Sequence, residues 1–307
     1  MNKKIILLFV IVFSIISYAE VFGVIFNSTG TGDNSFNSLV YKGINNFIAR
    51  NRNFSYITYI HSENNLNYYI DKFVDNGINK IFLVGSQYSS LIENISQQNK
   101  YRNTNFYIID ANDISKSENI SSLIFNEFYV SFRAGVSAAT DFEKIAFIGI
   151  ENIPAIERFR KGFESGLKTV NKKIDYYKFY VNLEENNQDE ILSIGKKIFD
   201  TYDIVFTVAG VFNQTFEKAA ILRGKKIIIT DRHLNYRDSK AIYGSVAKNM
   251  DYATEDFLYQ NLVQKRNRDI ISGINSPYLK WDESSSVSLD AQLKSRLEYF
   301  LFFKMIK

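Results

Sequence analysis

Three aspartates stand where apolar, strand-like runs give way to turns. Asp33 follows Val21–Phe26 through the loop Asn27-Ser28-Thr29-Gly30-Thr31-Gly32, Asp110 closes Tyr107-Ile108-Ile109, and Asp231 closes Ile228-Ile229-Thr230. A carboxylate accepts two hydrogen bonds side by side, which matches a vicinal diol or the edge of a purine. Projected from the carboxyl edges of two sheets into a shared cleft, the three suit a neutral ligand rich in hydroxyl or amide donors. Each taken alone also has a plainer reading. Asp33 or Ser35 serves as a helix N-cap with Phe36 in the core, and Asp110 and Asp231 serve as turn residues.

Other chemistries find little material. The chain has 307 residues, no cysteine and two histidines, His61 and His233. Disulfides, thiol catalysis and Cys-ligated zinc are excluded, and a His-based metal site has almost no ligands to draw on. The glycine loop after Phe26 is neither G-x-G-x-x-G nor the G-x-x-x-x-G-K-S/T phosphate cradle. No G-x-S-x-G elbow, H-E-x-x-H helix or spaced Ser–His–Asp set occurs, so no catalytic residue is expected, and neither a cofactor nor a metal. A formal net charge of +4 argues against nucleic acid as a partner. The densest basic run, Gln264-Lys265-Arg266-Asn267-Arg268, reads as the solvated end of a helix.

The elements that must carry these residues follow from hydrophobic patterning. Expected strands are Val21–Phe26, Tyr56–Ile60, Lys80–Val84, Asn105–Ile109, Lys144–Ile148, Tyr176–Val181, Ile204–Val208, Lys226–Thr230 and Ile242–Val246. Most are continuous apolar runs, the mark of strands buried on both faces of a parallel sheet. Between them Phe36, Leu39, Val40, Ile44, Phe47 and Ile48 recur on one helix face, as do Ile156, Phe159, Phe163 and Leu167, and Ile191, Ile194, Ile198 and Phe199. Pro154 suits the first turn of its helix. Strand–helix alternation of this length predicts an α/β protein with two doubly wound parallel-sheet lobes and a ligand cleft between them. The expected first lobe is 20–125 plus 244–275, and the second is 126–243 plus 276–307.

Residues 1–19 read as a secretory signal peptide. Lys3 and Lys4 precede the apolar run Ile5–Ile16, and Ser17-Tyr18-Ala19 offers small residues for cleavage ahead of Glu20. No later stretch reads as a membrane span, so the expected mature chain is exported, periplasmic or extracellular. The amphipathic stretch Leu293–Ile306 reads as a segment that docks on a lobe.

Several stretches, in order, resemble a known family. Gly32-Asp33-Asn34-Ser35-Phe36-Asn37 resembles the G-D-x-S-F-N loop of the basic membrane protein family, purine-nucleoside-binding proteins of bacterial ABC importers. Asn126 to Gly135 is similar to its E-x-x-x-F-x-A-G segment, and Ile153-Pro154 with Phe159, Gly162-Phe163 and Gly166 to its I-P…F…G-F…G helix. Tyr202–Phe206 with Ala209-Gly210, Ile229-Thr230-Asp231 and Gly244-Ser245-Val246-Ala247-Lys248 resemble its later binding segments.

The resemblance implies a type I periplasmic-binding-protein fold that closes on a nucleoside as a monomer and hands it to an ABC permease. It also implies roles. Phe36 stacks on the base, Asn37 and Asp110 read base edges, and Asp33 lines the loop. Asp231 takes ribose hydroxyls, Lys248 donates to the sugar side, and the backbone at Gly210 approaches the sugar. Either Phe206 or Phe212 completes the aromatic sandwich. The sequence departs from the family where Ala19-Glu20 replaces the lipid-modified cysteine, and where Val211-Phe212-Asn213 replaces a glycine-rich stretch. These departures motivate a second reading, a sensor or surface interaction protein that keeps the binding fold without importing.

Overall fold

The computed structural model describes residues 19–32, 36–60, 66–150, 153–182, 186–231, 234, 239–273 and 276–283. Residues 1–18, which hold most of the stretch read as a signal peptide, lie outside the described residues, as do His61, His233 and Leu293–Ile306.

The chain alternates strand and helix from its start. It runs β1 (Glu20–Phe26), α1 (Phe36–Arg50), β2 (Phe54–Ile60), α2 (Leu66–Asp75), β3 (Lys80–Val84), α3 (Tyr88–Ser96), β4 (Asn105–Ile109) and β5 (Ile120–Phe125). It continues as α4 (Glu127–Asp141), β6 (Lys144–Gly149), α5 (Pro154–Thr169), β7 (Asp175–Tyr180), α6 (Gln188–Thr201), β8 (Ile204–Val208), α7 (Asn213–Arg223), β9 (Lys226–Thr230) and β10 (Ile242–Lys248). It then passes through α8 (Met250–Leu258), a π-helical turn (Tyr259–Val263), β11 (Ile270–Ser272) and β12 (Leu279–Glu283).

Two six-stranded sheets result, ordered β11-β5-β4-β3-β1-β2 and β12-β10-β9-β8-β6-β7. The first is parallel throughout, and only β12 runs antiparallel, against β10. The shared part of the two orders is one doubly wound pattern repeated. Each sheet brings the carboxyl ends of its strands to one edge, where such folds bind ligands. The sequence expectation of an α/β protein with two such sheets therefore holds.

The expected strands all form, and three more join them. β5 reads Ile-Ser-Ser-Leu-Ile-Phe, so its paired serines interrupt the apolar run, yet every residue is buried. Ser122 N–H donates to Asp269 Oδ1 at 2.7 Å, which satisfies one backbone group where the sheet would otherwise end. β11 is three residues long, and β12 alternates Lys280 and Asp282 with buried Leu279 and Trp281. Both are edge strands, whose patterning is weak.

The chain crosses between the sheets after β5, after β10 and between β11 and β12. Two crossings are tied alike: Asn126 N–H donates to Ser272 O at 2.9 Å, and Asn249 N–H to Tyr278 O at 2.8 Å. One boundary needs correction. Residues 244–248, expected in the first lobe, form the end of β10 in the second sheet, and the return to the first begins with α8, packed on α1. A buried apolar run does not reveal which of two similar sheets it joins.

The closest helix contact is between α4 and α5. A Cβ built on Gly135, Gly162 or Gly166 would lie 2.2 Å from the carbonyl oxygen of Phe163, Phe128 or Phe132 respectively. Only glycine lets the two backbones approach this closely. This contact fixes α5 against α4, with Pro154 in its first turn and Ile156, Phe159, Phe163 and Leu167 buried.

Candidate functional site

A cleft of ≈ 430 Å³ opens between the carboxyl edges of the two sheets. The first sheet contributes Asn27–Thr29 and Phe36 around the β1–α1 connection, Gly85–Gln87 after β3, and Asp110 and Asn112 after β4. The second contributes Ile150, Ile153–Ile156 and Phe159 around the start of α5, Val208, Gly210 and Val211 after β8, Asp231 after β9, and Lys248 ending β10.

Asp110 and Asp231 occupy equivalent places, one residue past β4 and one past β9. Both take a left-handed backbone, with φ of 66° and 74°. Such a backbone is uncommon outside glycine, and the short polar side chain of Asp tolerates it better than most. Each residue's turn back to its neighbouring strand is tied: Ala111 N–H donates to Leu123 O at 2.9 Å, and Asp231 N–H to Val246 O at 3.1 Å. The plain turn-residue reading of both aspartates is thus correct as far as it goes. The same turn turns both carboxylates toward the cleft.

Lys248 is the centre of the electrostatics. Its Nζ lies 3.1 Å from Asp110 Oδ1 and 2.6 Å from Glu127 Oε1, and its side chain is 5% exposed. It also lies 4.9 Å from the Phe125 ring centroid and 5.3 Å from that of Phe159. Burial works against the ammonium, but Asp110, Glu127 and Asp231 outweigh it and raise its pKa. Behind it, Glu127 is fully buried and accepts from Arg158 Nε at 2.6 Å. Burial pushes the Glu127 pKa up, yet Lys248 and Arg158 together hold it below the usual carboxylate value. Asp110 and Asp231 go the other way. Burial raises both, more than Lys248 lowers them, since Glu127 already draws on the same ammonium.

A second small network serves Asp231. Thr230 Oγ1 donates to Asp231 Oδ2 at 3.0 Å, and Asn213 Nδ2 donates to Thr230 Oγ1 at 3.0 Å. Asn213 Oδ1 accepts Ala209 N–H at 2.9 Å, which braces the turn at Gly210, whose φ is +52°.

The cleft therefore brings together Phe36, Asp110, Gly210, Asp231 and Lys248. Asp33 lies outside the described residues. Asn37 is buried and does not line the cleft. Its Nδ2 lies 2.7, 2.8 and 2.8 Å from Asn27 Oδ1, Thr29 Oγ1 and Gly30 O and shares its two hydrogens among them, bracing the loop that does. Neither aromatic expected to complete a sandwich faces the cleft. Phe206, in the middle of β8, is fully buried with ring centroids of Phe147 and Phe163 at 5.6 and 5.0 Å. Phe212 turns into the core beside Phe216 and Ala219. Only the last residue of a buried strand and those after it reach the crevice, and here those are Val208, Gly210 and Val211.

The second lobe's aromatic is Phe159, 3% exposed, on α5. Sequence reading had it only as part of a helix face and of the I-P…F motif. Glu127, Arg158 and Asn112 were also missed as site residues. Among the described residues no cluster of His, Asp and Glu could hold a metal ion, and no helix is long and apolar enough to cross a membrane.

Two parallel-dominated α/β sheets closing on a cleft define the class of type I periplasmic binding proteins. Solved structures share this fold. A solute-binding protein of an ABC transporter system from Aeropyrum pernix K1 is similar with a TM-score of 0.74 at 20% identity, over 86% of this chain and 76% of that one. A sugar transporter from Clostridium phytofermentans is similar with a TM-score of 0.65 at 11% identity, over 86% of this chain and 100% of that one. Residues 19–299 match the family described as ABC transporter substrate-binding protein PnrA-like, and the chain belongs to it. Among its relatives is Basic membrane protein B of Borreliella burgdorferi, 28% identical over 261 residues, 77% of this chain and 76% of that one. Another is the ABC transporter nucleoside-binding protein BmpA of Lactococcus lactis subsp. cremoris, 26% identical over 66% of this chain and 59% of that one.

Proposed function

We propose that the protein captures a purine nucleoside outside the cytoplasm and delivers it to an ABC permease, with no covalent chemistry. The observation that carries this reading is the cleft's composition. One aromatic from each lobe, Phe36 and Phe159, flanks an interior set with two carboxylates and one ammonium. Phe36 stacks on the base, since an aromatic face holds a flat heterocycle. Asp231 accepts from the ribose hydroxyls, Lys248 donates to the sugar side, Asp110 reads the base edge, and the backbone at Gly210 lies against the sugar. Asn37 serves the loop beneath Phe36, and Asp33 remains assigned to that loop. The volume of ≈ 430 Å³ falls in the range of small-molecule sites. The named function of the Lactococcus relative supports the ligand class.

Residues 1–19 act in this reading as a cleaved export signal, with Ala19-Glu20 at the junction in place of a lipid-modified cysteine. Mass measurement of the exported protein checks the cleavage point.

The test of function is thermal unfolding with guanosine, inosine and adenosine. A nucleoside at a hundred times its Kd stabilises the protein by about 2.7 kcal/mol. An unchanged transition with all three at millimolar concentration sinks the reading.

A further inference from the structure

We propose that Arg158 is a positioning residue for the cleft: it ties the second lobe to the first through Asn112 when the cleft closes, while holding Lys248 in place through Glu127. The inference deepens the binding reading and takes its ligand from it, but its geometry stands independently.

The Arg158 side chain is 21% exposed and rises from the second turn of α5. Its Nε is committed to Glu127 Oε2 at 2.6 Å. Glu127 in turn meets Lys248, and Lys248 donates to Asp110 at the cleft wall. The rest of the guanidinium is incompletely used. Nη1 points to the backbone oxygen of Asn112 at 3.5 Å, the long limit for such a bond. Nη2 is buried with no hydrogen-bond partner.

Across the cleft, Asn112 has the complementary deficit. Its backbone N–H donates to Ser89 Oγ at 3.1 Å, and its Nδ2 donates to Ser86 O at 3.2 Å. That second bond fixes which end of the amide carries the oxygen, because a carbonyl can only accept. The remaining Oδ1 is buried without a partner. A residue of the second lobe with a buried unmet donor therefore touches a residue of the first with a buried unmet acceptor. The contact between them is Nη1 to the backbone oxygen of Asn112, at 3.5 Å.

Buried polar groups without partners are costly, and a rearrangement that joins them is favoured. A slight closing rotation shortens Nη1···O and brings Nη2 to Oδ1, giving a two-pronged arginine contact. Opening breaks this contact but spares Arg158–Glu127, because α4 and α5 are locked together at Gly162 and Gly166. The guanidinium thus stays with the second lobe and reports the position of the first.

The absence of native cysteine makes the test direct. Ser90→Cys on α3 and Gln214→Cys on α7 place two spin labels at exposed, equivalent points of the two lobes. Interlabel distances are measured by pulsed electron resonance without ligand and with guanosine, alongside the guanosine dissociation rate. The parent shows a short-distance population that guanosine enlarges. Asn112→Leu depletes that population without ligand and speeds guanosine release about tenfold. Arg158→Lys keeps a charge for Glu127 but lacks the fork, and behaves like Asn112→Leu. Coincident distance distributions for the unliganded parent and Asn112→Leu overturn the proposal, whether or not guanosine binds. Failure of guanosine, inosine and adenosine to bind the parent overturns the nucleoside reading alone, since the unliganded distances still decide the role of Arg158.

Discussion

Glu127 Oε1 lies 2.6 Å from Lys248 Nζ, with Glu127 fully buried and Lys248 5% exposed. The pair sits beside two of the three crossings between the sheets. It places one compensated charge group at the point where the lobes are joined.

Breaking that group is expected to be costly. Glu127→Ala leaves the buried Lys248 and the partly exposed Arg158 without their shared anion, and removal of one partner of a buried pair typically costs about 3–5 kcal/mol. Urea unfolding of the variant measures the loss. A change below about 1 kcal/mol would mean that water or another carboxylate has taken the place of Glu127.

The aspartates of the cleft are expected to behave in the opposite sense. The folded-state pKa of Asp231 is raised, chiefly by burial. The folded protein therefore holds the proton more tightly than the unfolded chain, and stability falls as pH rises from the ordinary carboxylate range through the raised value. Asp231→Asn removes that loss. It should raise the melting temperature at neutral pH, and the gain should vanish as pH falls below the window. The same variant should lose the stabilisation by nucleoside. A destabilised Asp231→Asn at neutral pH contradicts the assignment.

Glu157 gives a window of the ordinary kind. Its hydrogen bond with Arg160 leads the causes that lower its pKa from 4.5 to about 2, with Tyr180 assisting. Its contribution is complete above the unfolded value and disappears as pH falls from 4.5 towards about 2. A Glu157→Gln variant should lie below the parent at pH 6 and converge with it in acid titration.

The aromatics divide by role. Phe206→Ala opens a hole in a filled core and should cost about 3–5 kcal/mol. Phe36→Ala, at a half-buried position on the cleft, should cost less in stability yet abolish any nucleoside-induced shift. If Phe206→Ala proves the milder of the two in stability, the placement of β8 side chains is wrong.

Gly162→Ala tests the α4–α5 contact. The added methyl meets the Phe128 carbonyl at 2.2 Å, so the helices must part. Overpacking of this kind costs about 1–3 kcal/mol. Because Arg158 and Glu127 stand on those two helices, the variant should also weaken ligand binding, measured by calorimetry beside the unfolding curve.

The layered architecture was legible because buried parallel strands are continuous apolar runs, and residues such as Ile25, Phe82 and Ile228 declare them. The edges were not. Ser121 and Ser122 disguise β5, and nothing in Ile242–Lys248 says which sheet it enters. Asp110 and Asp231 were found because each closes a recognisable apolar run, and Lys248 because it stands in a stretch that resembles a binding segment of the family. Glu127, Arg158 and Asn112 were missed because their significance lies in pairing across distant segments, which neither period nor spacing records. Phe206 misled for a related reason. A strand's sequence does not tell its buried middle from its exposed tip.

Asp110 and Asp231 share a backbone conformation, a place relative to their sheets and a direction of shift. Two lobes built alike give the cleft an approximate twofold character, so each sheet presents a carboxylate at the same place on its edge. Such a cavity cannot orient its guest by those groups alone. Handedness has to come from what the lobes do not share: the ring of Phe36 on one wall, and on the other the ammonium of Lys248, whose counterpart at the end of β5 is the apolar Phe125.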